Sequence, residues 1–176
     1  ESEWIQPFRV GGNAPFSPMN ILEFDKNFLG ALFEQAMGSP LRRHVCDLHT
    51  SPKDTGQRAL CALLPSTVVP IHRHKETAET VIALCGKLDV ALYEEVVGYE
   101  SADLHGLPQG MDAQDIERRI DYREVRRLRL CPAEARYGCQ IPKGVWHSVE
   151  VIEPCVIFET KDGAYGEDGS ESLELY

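Results

Sequence analysis

From residue 58 onward the chain breaks into short segments rich in Val, Ile, Leu and Cys, each closed off by Gly, Pro or acidic residues. They lie at 58–65, 67–71, 81–85, 88–93, 125–130, 135–141, 148–152 and 155–160. Segments of four to eight residues with this composition are strand candidates, and their punctuation supplies the turns. Eight of them in one chain suggest a barrel or jelly roll, in which the apolar faces close on one another. A sequence of 176 residues with 43% apolar content fills one such core and leaves no seam for a second.

Ahead of the strands lies one helix. Leu29, Leu32, Phe33 and Ala36 recur at helical spacing, Asp25 stands at the capping position, and Gly38 with Pro40 supplies the stop. Residues 1–20 read as a polar arm. Residues 97–120 contain Gly98, Gly106, Pro108 and Gly110 without a strand pattern, and Asp112 can cap a short helix to Ile120, so this stretch reads as a surface insertion. Gly86 and Lys87 read as a tight turn between two strands. Residues 163–174, rich in Gly, Glu, Asp and Ser, read as a mobile end.

Charge and cysteine usage remove several classes of function. The formal net charge is -10, and Arg123, Arg126, Arg127 and Arg129 are diluted by Asp121 and Glu124, which excludes a phosphate-backbone binder. No segment approaches the roughly 18 apolar residues of a membrane span. Six cysteines at irregular intervals, with no C-x-x-C pair, read as reduced and mostly buried, as expected of a cytoplasmic protein.

The chemistry concentrates in two places. The first is His72-Arg73-His74, four residues, Glu79, six residues, Gly86. Two histidines at i and i+2 on a strand share a face, and a carboxylate beyond a short turn can close on them from the neighbouring strand. The second is Pro142-Lys143-Gly144-Val145-Trp146-His147, a tight turn opening onto a histidine. Each segment alone carries little weight, because His-x-His recurs by chance.

Together, on a chain of short strands, H-x-H-x4-E-x6-G and P-x-G-x-x-H resemble the two motifs of the cupin superfamily. Two positions depart from it: Ser66 stands where the motif opens with Gly, and Val151 where it closes with Asn. A narrower resemblance, over roughly residues 21–165, is to the WbuC family of cupin metalloproteins. It rests on Ser39-Pro40-Leu41-Arg42-Arg43, Asp47-Leu48-His49, Gln57-Arg58, Pro70 with His72-Arg73-His74, and Phe158-Glu159-Thr160-Lys161-Asp162-Gly163 with Tyr165.

These resemblances imply a mainly β, single double-stranded β-helix barrel with an N-terminal helix, pairing as a homodimer, with the arm at 4–10 as an exchanged strand. They imply one divalent transition metal (Fe, Mn, Ni, Co or Zn) on His72, His74, Glu79 and His147. Three imidazoles and one carboxylate leave open positions on such an ion for a small oxygen-rich ligand. Glu159 and Tyr165 are the candidate proton-transfer groups, and Arg43, His49, Arg58 and Lys161 the candidate substrate contacts. Glu159 and Lys161 lie two apart on one strand and therefore share a face. Three functions fit: a metal-dependent enzyme of isomerase, epimerase or lyase type acting on an anionic metabolite or sugar derivative, an iron-dependent dioxygenase, or a non-catalytic binding module. Trp146 reads as a packing residue, His44 and His105 as surface residues.

Overall fold

The computed structural model describes residues 21–51, 53–99, 118–164 and 166–173. The N-terminal arm, residues 100–117 with His105 and most of the expected insertion, and Tyr165 lie outside them.

Helix α1 spans Lys26–Gly38, and the Asp25 carboxylate accepts from the Phe28 amide at 2.8 Å, satisfying one of the otherwise unpaired first-turn donors. Eight strands follow: β1 (Arg43–Asp47), β2 (Gly56–Leu63), β3 (His72–His74), β4 (Glu79–Tyr99), β5 (Arg118–Leu130), β6 (Gly138–Ile141), β7 (Trp146–Asp162) and β8 (Ser170–Ser172). Two of them, β4 and β7, are long and run antiparallel over nearly their whole lengths.

They bend together at a corner, so that one continuous eight-stranded sheet folds into two halves, the first sheet and the second sheet. The first half of β4 and the last half of β7 join β6, β2 and β1; the second half of β4 and the first half of β7 join β5, β3 and β8. At the corner the register shifts repeatedly between Ala83 and Leu88, and Gly86 adopts φ +77°. A Cβ on Gly86 would lie 2.0 Å from the Pro154 carbonyl oxygen, so only glycine fits where the two strands cross. The bulge also exchanges the faces of β4. Glu79, Val81 and Ala83 point into the barrel before it, and Leu88 and Val90 after it.

Two apolar clusters hold the fold. Inside the barrel Cys61, Leu63, Val81, Ala83, Leu88, Val90, Leu130, Ile141, Val151, Cys155 and Ile157 pack together. Outside, Leu32 and Ala36 of α1 pack on Cys46, Leu60, Ala62, Leu64 and Val156 of the first sheet. Each fully buried aliphatic side chain contributes about 1.5–3 kcal/mol. The result is the mainly β, single cupin-type barrel with an N-terminal helix that the sequence predicts. All six cysteines are free, four of them buried. No helix among the described residues is long and apolar enough to cross a membrane.

Several local expectations are corrected. Gly86 and Lys87 do not form a turn, since the chain continues through them as one bulged strand. The insertion is shorter than 97–120, because β4 reaches Tyr99 and β5 starts at Arg118; Val97 pairs with Ile120 and Glu94 with Arg123 across an exposed hairpin too polar to announce itself. Residues 67–71 are not a strand: Thr67 closes a turn onto the Leu64 carbonyl at 3.0 Å and its hydroxyl donates to the Arg42 carbonyl at 2.6 Å. The segments at 148–152 and 155–160 are one strand. Residues 43–47 form an additional strand, and His44 on it is buried toward the helix side, not on the surface. Burial holds its imidazole below the usual histidine range. The acidic end contributes a strand, β8, paired with β3.

Ser66 adopts φ +76°. The backbone therefore keeps the left-handed geometry for which the resemblance has Gly, with a serine bearing it.

Candidate metal centre

The centre lies between the sheets, where β3 meets the first half of β7. His72 is directly opposite His147, so their side chains share the inner face; His74, two residues on, joins them, while Arg73 between them points outward. On that outer side Arg73 bonds to Glu171 at 2.8 Å and lies 4.3 Å over the Trp146 ring, whose indole N–H donates to Glu95 at 2.8 Å. Trp146, buried and edge-on to Tyr122, is the packing residue that the sequence suggests. Glu79 opens β4 and enters from the first sheet. Donor atoms of His72, His74, Glu79 and His147 all lie within 4.8 Å of one another.

The proton positions on the imidazoles follow from their partners. The His72 Nδ1 is 2.9 Å from the Pro70 carbonyl oxygen and the His147 Nδ1 is 2.9 Å from that of Val145. A carbonyl only accepts, so each Nδ1 carries the hydrogen and each Nε2 offers a lone pair. The His147 Nε2 faces the Glu79 Oε2 at 2.9 Å, and the His74 Nε2 lies 3.5 Å from the same oxygen. Lone pairs at that separation need positive charge between them, either a proton or a metal ion. Metal bonds of about 2.0–2.2 Å place neighbouring donors at about the spacing seen here. The donor set therefore fits a divalent transition ion.

Electrostatics agree. Burial, then the neighbouring His147, pushes His72 down to about 4, which keeps it a neutral ligand. Burial alone would raise the Glu79 carboxyl, yet the hydrogen bonds to His147 and His74, with the Lys161 ammonium 3.5 Å away, hold it well below the usual carboxylate range. Glu79 is thus a carboxylate with Oε2 among the imidazoles and Oε1 facing Lys161.

The candidate pocket residues separate into two groups. Glu159 is opposite Val81 and Lys161 opposite Glu79, so both point inward beside the ligands. Burial raises the Glu159 carboxyl, and the Glu79 charge adds to this; its Oε2 accepts from the Cys61 thiol at 3.5 Å. The Lys161 ammonium lies 3.4 Å from the His74 Nε2.

Arg58, by contrast, is opposite Thr160, the residue between Glu159 and Lys161. It therefore points off the other face, where it bonds to Asp54 at 2.9 Å. His49 follows β1 and bonds to the Asp47 carboxylate. Arg43 donates to the Val68 carbonyl at 3.5 Å. The bonds of these three go to Asp54, Asp47 and Val68, not to the four ligands.

Asp168 and Ser170, which no sequence motif marks, also reach the centre. The His74 Nδ1 lies 2.8 Å from the Ser170 Oγ and 3.1 Å from the Asp168 Oδ2, and Asp168 is only 5% exposed. Acidic and serine-rich composition around them concealed the alternation of Ser170, Glu171 and Ser172, which was the available signal.

A family model described as a domain of unknown function, DUF6016, matches residues 24–101. No curated protein matches in sequence. Similar solved structures include Peruvianin-I, a cysteine peptidase from Thevetia peruviana latex, at 11% identity over 76% of this chain and 68% of that one, TM-score 0.45. An oxalate oxidase in complex with the substrate analogue glycolate is 15% identical over 77% of this chain and 57% of that one, TM-score 0.45. An uncharacterized protein with a double-stranded β-helix domain from Klebsiella pneumoniae is 10% identical over 76% and 85%, TM-score 0.41.

Proposed function

We propose that this chain is a WbuC-type cupin metalloenzyme that binds one divalent transition ion on His72, His74, Glu79 and His147 and acts on a small, oxygen-rich, anionic metabolite or sugar derivative. The observation that carries this reading is the convergence of those four donors with Glu159 and Lys161 on the same inner face. Residues of the narrower resemblance also serve the site: Pro70 fixes the His72 ring, and the buried Gln57 donates to the Ala164 carbonyl at 3.4 Å, tying down the chain beyond Lys161.

A bound divalent ion supplies Lewis acidity toward a ligand oxygen. The protein supplies the rest. Lys161 keeps Glu79 oriented and adds an ammonium to the cavity. A divalent ion and the Lys161 ammonium beside Glu79 are the cationic groups that an anionic ligand would meet in this cavity. Glu159, whose buried carboxyl favours its protonated form, is the group able to give a proton to a substrate oxygen or carbon and take it back.

Loading purified protein with Mn(II), Co(II), Ni(II), Zn(II) or, anaerobically, Fe(II), then assaying small hydroxy acids and sugar phosphates, tests this directly. Metal-dependent turnover that is lost in Glu159→Gln, with the metal retained, supports it. Oxygen uptake only with Fe(II) would favour dioxygenase chemistry, and tight ligand binding without turnover a binding module.

A further inference from the structure

Beyond the strand that carries Lys161, residues 166–173 return along the open edge of β3. His72 lies opposite Ser172 and His74 opposite Ser170, while the Lys75 and Glu76 amides donate to the Gly169 and Asp168 carbonyls, each at 3.2 Å. Gly169, at φ +62°, sits where an added Cβ would come within 3.1 Å of Lys75 and Glu76 side-chain atoms, so the strap passes as close as a backbone can.

This approach delivers a carboxylate to the back of one metal ligand. The Ser170 hydroxyl donates to the Asp168 Oδ1 at 2.7 Å, which leaves its oxygen lone pairs and the Asp168 Oδ2 to receive the hydrogen on the His74 Nδ1. Of the three imidazoles, His74 alone is backed by a carboxylate; His72 and His147 are backed by carbonyl oxygens. The Lys161 ammonium, 3.7 Å from Asp168, bridges it to Glu79.

We propose that Asp168 is a positioning residue for the metal centre. Together with Ser170 it holds the hydrogen of His74 on Nδ1, turns Nε2 toward the ion and makes that nitrogen a stronger donor than its two neighbours. The inference rests on the metal-centre reading above and deepens it. It also assigns the strap a function: the centre is complete only when residues 166–173 are docked.

Co(II) titration monitored by its visible absorption, with nitrogen-detected NMR of the metal-free histidines, tests the proposal on wild type, Asp168→Asn and Asp168→Ala. In wild type the His74 hydrogen resides on Nδ1 and one Co(II) binds per chain. In Asp168→Ala the Co(II) dissociation constant rises about 10-fold or more, and His74 alone among the three samples the other tautomer. Asp168→Asn keeps an acceptor oxygen but not the charge; it restores the tautomer and recovers only part of the affinity. If Asp168→Ala does not fold, Asp168→Asn against wild type decides.

Variants that bind Co(II) as tightly as wild type, with His74 unchanged, overturn the role of Asp168 and leave the metal centre standing. A wild-type protein that binds no Co(II) overturns the centre itself and this inference with it.

Discussion

The two ends of the barrel interior are built on the same strands and differ completely in character. On the paired β4 and β7, the facing residues change over three successive inward rungs from Ala83 with Ile157, through Val81 with Glu159, to Glu79 with Lys161. Beyond the first rung lies a dry cluster of Leu88, Val90, Leu130, Val151 and Cys155; beyond the last lie three imidazoles and Asp168. A buried charge without a partner costs several kcal/mol, so a polar end survives only where each group compensates another. The apolar end needs only shape and volume. Stability should thus belong mainly to one end and chemistry to the other.

The largest expected effect breaks the polar end. Replacing His72 and His74 together by Ala removes two of four donors, and stoichiometric metal is lost from the purified protein by elemental analysis. Circular dichroism still shows a folded barrel, because the apolar cluster is untouched. Retention of full metal would refute the site.

The converse substitution is Leu88→Ala, at a fully buried side chain in the dry cluster. It costs about 2–5 kcal/mol in urea unfolding, while one metal per folded chain is retained. If it instead abolished metal binding without unfolding the protein, the division between the ends would fall.

A smaller effect is expected with pH. The His72 imidazole is lowered from 6.5 to about 4 in the folded, metal-free protein. A base with a depressed folded pKa contributes stability above its unfolded value, and loses it as pH falls through the folded one. Metal-free protein should therefore lose stability as pH drops from 6.5 through about 4, and His72→Gln should flatten that part of the curve. An unchanged curve would place the acid sensitivity elsewhere.

The smallest concerns Ser66. Its left-handed φ costs a non-glycine residue about 1–2 kcal/mol, partly offset by the greater unfolded freedom of glycine. Ser66→Gly should raise the unfolding free energy measured in urea modestly, by up to about 1 kcal/mol, without altering metal content.

The comparison also explains what the sequence revealed. The ligands are legible because they sit close in sequence, at 72, 74 and 79, with His147 marked by the turn from Pro142. Glu159 and Lys161 follow from strand alternation; Arg58's placement on the opposite face does not, because it depends on the register of β2 against β7. Helix α1 is legible from Asp25 to Gly38 because capping and periodicity agree. The bulge at Gly86 was not, since a glycine followed by Lys87 has the same composition whether it turns a chain or kinks it. The extensions of β4 and β5 were hidden by Glu94, Glu95, Arg123 and Glu124, polar residues on an exposed hairpin. Asp168 was hidden because its partner, His74, lies far away in the sequence.

That separation has a kinetic consequence. The pairing of β3 with β8, and of β4 with β7, closes long loops, and such contacts form late because their entropic cost comes before their reward. During synthesis His72, His74 and Glu79 leave the ribosome well before Asp168 does. A newly made chain can thus assemble its four ligands while the side later closed by the strap is still open, with Gly169 and Asp168 arriving after them.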